Sequence, residues 1–384
     1  MSREAEELYE EREERVQAAI DLRVPDRVPV LCADDAFSWA YAGISMKDFM
    51  TDNEKMMTAR EIFHRDFQTD MAYVPPAPMD PLTLVVGSPC LLKMPGEDIP
   101  EDSVFQLVET EIMKEEDYEY AIENGYMQLL IKLLPKLRPG VRGVEEKFLA
   151  KLEWASNVFH SNVERFRAAG VPCWAGGGME SPFGVLTMLR SYERFCLDLY
   201  RRPERVSRAI GKFTEEFAEM AIASCKFLTG IPRAIIGLHR ESSSFFSLDQ
   251  FEQFALPQIE RLVEVLSKEG IITILHCDGD WTPNLPYLTR LPEGQCVLDL
   301  DASTDIFKAK EILGDRMCID GNVMEIMLSF GTPAEIEAHC RQLIDFVGKG
   351  GGFILKGEIP KEAKAENIRA MIDTAKTYGR GKGS

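Results

Sequence analysis

The chain reads as an α/β protein folded into a (β/α)8 TIM barrel, with a helix ahead of the first strand and an insertion between strands 2 and 3. Three observations predict this. Eight short β-rich runs recur along the 384 residues, each followed by a longer stretch of helical spacing. The runs are nearly continuous in apolar residues, as strands covered on both faces by crossover helices must be. The length suits one barrel domain over residues 1–384 that carries an insertion. A doubly wound open sheet is the other arrangement of the same units.

Taken in order, residues 2–23 show helical spacing with no Gly or Pro, and VPDRVPV (24–30) stops that helix and begins a strand. The eight strand runs are VPVLCA (28–33), DMAYV (70–74), VPCWAGG (171–177), RAIIGLH (233–239), IITILHC (271–277), QCVLDLD (295–301), RMCIDG (316–321) and GGFILKG (351–357). The interval 75–170 is too long for one crossover and holds the helical stretch EEDYEYAIENGYMQLLIKLLPKL, so it reads as an inserted helical lid. The segment from Ser247 to Gly270 has the start and stop residues of a packed helix, and TPAEIEAHCRQLIDFVGKGG repeats them. The terminal GRGKGS reads as disordered.

Composition narrows the function. Apolar residues make up 45% and charged residues 28%, which suits a soluble globular core. No apolar run reaches about eighteen residues and the N-terminus is charged from the start, which predicts a cytoplasmic protein with no membrane span. Nine cysteines without CxxC pairs read as reduced thiols. A formal charge of −19 without Lys/Arg clusters excludes nucleic acid as partner, and leaves solubility or a basic protein partner as its use. Neither GxGxxG nor GxxxxGK[ST] follows a strand, and there is no nucleophile elbow.

Polar residues collect at the C-terminal ends of the strands, where barrel chemistry sits. Asp34 and Asp35 follow the first run, His239 and Glu241 the fourth, His276 and Asp278 the fifth, Asp299 and Asp301 the sixth, Asp320 and Asn322 the seventh, and Glu358 the eighth. Side chains alternate along a strand, so His276 and Asp278 share a face that Cys277 does not. A neutral imidazole and a carboxylate two residues apart make a bidentate hook for a metal such as zinc. Glu358 supplies a third ligand and one position stays open for substrate. His239 and Glu241 share a face by the same alternation and serve as a further ligand, a base or loop caps. A histidine at a strand end often does no more than bond a loop. His64, His160 and His339 lie within helical periodicity and read as ordinary residues. GGGMESPFG (176–184) is either a turn into a helix or a close-approach surface offering Met179 and Phe183 to a flat ligand.

From about Val24 to Tyr378 the chain resembles the uroporphyrinogen decarboxylase superfamily, in its branch of corrinoid-dependent methyltransferases. The pieces that carry the resemblance are VPDRVPV, FQTDMAYVP, GVPCWAGGGMESPFG, FCLDLYRRPERV, SFFSLDQFEQFALPQIERLVE, ILHCDGD, DGNV and GGFILKGEIPKEAKAENIRAM. The resemblance implies a (β/α)8 barrel whose mouth receives a tetrapyrrole or the corrinoid of a separate carrier protein. Porphyrin decarboxylases of the superfamily carry an arginine after the first strand, where this chain reads LCADDAFSWAYAG, with two acids that would repel an octacarboxylate. The coenzyme M enzymes hold zinc with His-x-Cys on the fifth strand and a Cys after the eighth. Here His276 keeps the first place, while Asp278 and Glu358 stand where the thiolates would be.

That exchange favours oxygen-bearing substrates over thiols. The resemblance therefore implies a methyltransferase that moves a methyl group from a small donor, an aromatic methyl ether, to the Co(I) corrinoid of a carrier. His276, Asp278 and Glu358 hold the metal, and Glu241 acts as acid or ligand. Met179, Phe183, His239, Trp281 and Asn322 bind substrate. The chain has no DxHxxG corrinoid module, so the cobalamin comes with the partner. Thiol methylation, decarboxylation and a non-catalytic tetrapyrrole-binding role are the alternatives, and a homodimer stays open.

Overall fold

The computed structural model describes residues 2–34, 36–73 and 79–380. Asp35, residues 75–78 of the expected insertion and the last four residues of GRGKGS lie outside the described residues. Eight parallel strands make one sheet: β1 (Val30–Ala33), β2 (Met71–Ala72), β3 (Gly177–Glu180), β4 (Arg233–Leu238), β5 (Ile272–Cys277), β6 (Cys296–Leu300), β7 (Cys318–Val323) and β8 (Phe353–Glu358). Their spatial order is β2-β1-β8-β7-β6-β5-β4-β3. The ring closes between β2 and the segment ahead of β3. Ala72 bridges Cys173, its N–H donates to Pro172 O at 2.8 Å, and Trp174 N–H donates to Ala72 O at 2.7 Å.

The third stave is therefore bent into two parts. Residues 172–174 pair with β2, and Gly177–Glu180 pairs with β4. The apolar run ends the stave at residue 177, but the ladder continues three residues further, because backbone pairing needs no side chains and GGG carries no hydrophobic signal. Gly176 sits tight on the next stave: a Cβ there would lie 2.4 Å from Ile231 O.

Alternation along the strands divides two cores. Leu31, Met71, Ile274, Val297, Cys318 and Ile354 fill the barrel interior. Cys32, Leu275, Cys277, Leu298, Ile319 and Leu355 join the larger core under the helices. The N-terminal helix Arg3–Ile20, capped by Ser2, adds Val16, Ala19 and Ile20 to the interior cluster and so plugs the barrel floor. Arg15 fastens it there with a 2.9 Å ion pair to Asp70, whose other oxygen accepts Val30 N–H at 2.8 Å. The expected helix caps are present: Ser247 with Gln250 and Thr332 with Glu335 form capping boxes.

Between β2 and β3 come the helix Pro81–Gly87, an antiparallel hairpin (Leu91–Lys93 with Gln106–Val108) and the helices Asp117–Asn124, Tyr126–Leu137 and Val144–Ala168. The stretch expected as one helical run breaks at Gly125, whose φ of 85° no other residue adopts cheaply. The hairpin was not visible in the sequence, its strands being three residues each, too short to show an alternation. No helix among the described residues is long and apolar enough to cross a membrane.

Candidate functional site

β4 and β5 are neighbours, with Gly237 opposite His276. His239 leaves the end of β4 as His276 reaches the end of β5, and the two rings stand perpendicular with centroids 5.4 Å apart. Asp278 completes the cluster. Its Oδ1 lies 3.4 Å from His276 Nε2 and its Oδ2 lies 3.6 Å from His239 Nε2. Among the described residues, these three form the group whose ligand atoms all fall within 4.8 Å of one another.

Both imidazoles are held from behind through Nδ1. His276 Nδ1 lies 3.0 Å from Asp299 Oδ2, and His239 Nδ1 lies 2.5 Å from Glu180 Oε2. A carboxylate on Nδ1 fixes the tautomer and presents Nε2 with its lone pair forward, the usual outer arrangement around a metal-binding histidine. Asp299 is itself held: it accepts the Tyr73 hydroxyl at 2.6 Å and pairs with the buried Lys356.

The local field favours positive charge between the rings. Burial pulls the His239 pKa down, but the Glu180 hydrogen bond and the charges of Glu180, Asp278 and Glu241 outweigh it and lift it to about 9. His276 is lowered by burial and raised further by Asp299, with a net rise. Burial raises the Asp278 carboxyl. Asp299 is pulled the other way: burial would raise it, but the ammonium of Lys356 holds it well below the carboxylate range. Two Nε2 atoms and a carboxylate facing one point are a fitting donor set for zinc, leaving a position for substrate.

Residues 163–378, more than half of the chain, match the model of the uroporphyrinogen decarboxylase (URO-D) family. The chain belongs to that family. Within it, the chain is similar to a uroporphyrinogen decarboxylase of Trichodesmium erythraeum, with 27% identity over 46% of this chain and 48% of the relative. It is also similar to the methylcobamide:CoM methyltransferase MtbA of Methanosarcina mazei, with 26% identity over 33% of this chain and 37% of the relative. The chain thus spans about half the length or less of these relatives. A solved methyltransferase from Methanosarcina mazei superposes over 96% of this chain and 98% of its own, with a TM-score of 0.67 and 18% identity, and so shares the fold.

In this family member the expected site residues fall as follows. His276 and Asp278 meet, joined by His239. Glu358 is not one of the three that meet within 4.8 Å; it lies 3.5 Å from Lys356 and shares a recess of about 300 Å³ with Tyr73, His276 and Glu325. Glu241 does not follow the alternation from His239, because β4 ends at Leu238. It is fully buried, meets the Ser181 hydroxyl and accepts Arg240 N–H at 2.9 Å, and burial pushes its carboxyl up to about 7.

Met179 and His239 line a cavity of about 510 Å³ that opens beside His276. Phe183 and Trp281 are core residues rather than cavity walls. Phe183 packs edge-on against Phe195 and Phe246, and Trp281 packs against Phe251 while its Nε1 donates to Asp278 O at 3.0 Å. Asn322 lines a separate recess and donates to Asp301 O at 3.2 Å. His64, His160 and His339 all lie in helices.

Sequence reasoning missed Glu180, Tyr73 and Lys356. Extending the third stave by three residues would have put Glu180 on the same face as Gly178. A lysine inside FILKGE is a signal in itself, since lysine is almost never fully buried without a partner.

Proposed function

We propose that this family member is a methyltransferase that takes a methyl group from a small donor, an aromatic methyl ether, and passes it to the Co(I) corrinoid of a separate carrier protein. The observation that carries this reading is the convergence of two carboxylate-backed imidazoles on Asp278. The likeness to a methylcobamide-using relative supports it. Zinc held by His239, His276 and Asp278 would supply Lewis acidity to a donor oxygen as its bond to methyl weakens. Glu358 is the candidate for a further contact from the opposite wall.

The protein's own groups do the rest. Asp299 and Glu180 fix the ring orientations before substrate arrives, so no reorganisation is needed during reaction. Asp278 remains 41% exposed along its side chain, which leaves the trio reachable from the mouth. Glu241, fully buried behind the Ser181 hydroxyl with its carboxyl pushed up to about 7, is the candidate to hold a proton beside the site. Thiol activation lacks a thiolate donor, since Cys277 points into the outer core. For decarboxylation of a polyanion, the described residues lining the main cavity offer no Lys or Arg to hold several carboxylates.

The test mixes the protein with a Co(I)-loaded carrier and a panel of methoxylated aromatics, methylamines and thiols, following the corrinoid absorbance. Demethylation of a methoxyarene, together with one bound zinc that His276→Ala removes, is expected. Inactivity on the whole panel with decarboxylation of a tetrapyrrole would overturn the reading.

A further inference from the structure

The 510 Å³ cavity runs from the paired histidines, past β3 and β4, to the inserted helix Val144–Ala168. It gets there past the first half of β3, where Gly177 and Gly178 carry no side chains. Three consecutive glycines stand at this point, and they are not equivalent. A Cβ on Gly176 would lie 2.4 Å from Ile231 O, and one on Gly177 would lie 2.7 Å from Ser224 Oγ, so packing excludes a side chain at both. A Cβ on Gly178 would meet nothing closer than Ile235 at 3.6 Å, an ordinary contact, and its φ is not in the left-handed region. Neither backbone conformation nor the protein's own packing requires glycine at 178. What its missing side chain leaves is the cavity.

The walls say what fits. On the helix side stand Leu152, Ala155 and Phe159, and on the barrel side Met179 and Ile235. Among the described residues the ionisable lining groups are Glu180, His239 and His276, all at the metal end, and no Lys or Arg lines the space. A cavity of about 150 Å³ already holds a benzene ring, and small-molecule sites usually span about 300–1,000 Å³. An anionic substituent carried to the helix end of this space would lose its water among Leu152, Ala155 and Phe159 and meet no counter-charge there. Cavity, doorway and charge select a ligand with an uncharged flat body and one oxygen at its end.

We propose that Gly178 is the specificity determinant of this protein: the space it leaves in the barrel wall admits the uncharged aryl body of the methyl donor, which lies beneath the Val144–Ala168 helix with its ether oxygen toward His239 and His276. This assignment rests on the methyltransferase reading for the identity of the ligand, but its test does not depend on turnover. Binding of anisole and of para-methoxybenzoate to the zinc-loaded full-length protein is measured by calorimetry. Wild type is expected to bind anisole at least tenfold tighter than the carboxylate. Gly178→Leu is expected to keep its melting temperature and bound zinc while losing anisole affinity at least tenfold, with Gly178→Ala in between.

Should Gly178→Leu fail to fold, Ala155→Trp fills the same space from the opposite wall and carries the same expectation. Equal affinity for the two ligands, no anisole binding by wild type, or unchanged anisole binding by the filled variants would each overturn the assignment. Anisole binding with the expected dependence on residue 178, but no methyl transfer to Co(I) from any donor, would refute the methyltransferase reading and leave the cavity assignment standing. Methyl transfer from methoxyarenes that Gly178→Leu leaves untouched would do the reverse.

Discussion

Replacing Asp299 with asparagine tests whether the groups behind the histidines serve metal binding. Asn keeps the shape of the side chain and removes its charge. In the native protein Asp299 Oδ2 lies 3.0 Å from His276 Nδ1 and accepts the Tyr73 hydroxyl at 2.6 Å, while Oδ1 meets Lys356. Loss of such an outer carboxylate typically weakens metal binding by about 10–100-fold, or about 1.4–2.7 kcal/mol.

Two features of the structure place Asp299→Asn near the lower end. The amide oxygen can still accept from Nδ1–H, and the Tyr73 hydroxyl, 3.1 Å from the same nitrogen, still limits ring rotation. Asp299→Ala removes orientation as well as charge and falls near the upper end. The assay is competition for zinc against a chromophoric chelator at fixed pH. Glu180→Gln should shift the affinity by a similar factor through His239, and because both rings face the same point the double variant should depart measurably from the sum of the two free-energy changes. A folded Asp299→Asn protein whose zinc affinity stays within twofold of wild type would refute the argument.

Two further outcomes concern the scaffold. Arg190→Met should cost about 1.5–3 kcal/mol in urea unfolding, because buried Asp198 loses its 2.6 Å partner and keeps only Arg202 at 3.2 Å and the Tyr118 hydroxyl at 3.0 Å, while Met113 O loses its donor; a loss below about 0.5 kcal/mol would count against the ion pair as a support of the inserted segment. His64 is fully buried and kept neutral, its pKa lowered by burial and then by Arg60 and Arg12 to about 3. The unfolded chain takes up a proton near pH 6.5 that the native chain refuses until about 3, so stability falls as pH drops through that window, by up to about 5 kcal/mol from this residue. His64→Asn should flatten the unfolding midpoint between pH 6.5 and 4 relative to wild type, and parallel curves would count against it.

The staves were legible wherever burial on both faces wrote itself as an apolar run. RAIIGLH and QCVLDLD locate β4 and β6 within about a residue of where they stand. The third stave was legible only in its first half, since its second half is mostly glycine and pairs through the backbone alone. The same gap hid Glu180, and with it the partner that turns His239 toward the cluster. Lys356 and Tyr73 escaped for a different reason. They act across the barrel interior on Asp299, and a contact between staves 57 or 226 residues apart leaves no local pattern.

The choice of a third residue for the proposed metal site shows what a sequence withholds and what it does not. His239 and Glu358 satisfy the same local rule, a ligand type at the C-terminal end of a strand. Side-chain type and face are encoded locally; distance around the ring is not. Yet a (β/α)8 barrel places consecutive strands side by side, so a group leaving β4 lies one stave from β5 whereas one leaving β8 lies three staves away. Adjacency in chain order therefore favours His239 over Glu358 as the residue to meet His276 and Asp278, and His239 Nε2 lies 3.6 Å from Asp278.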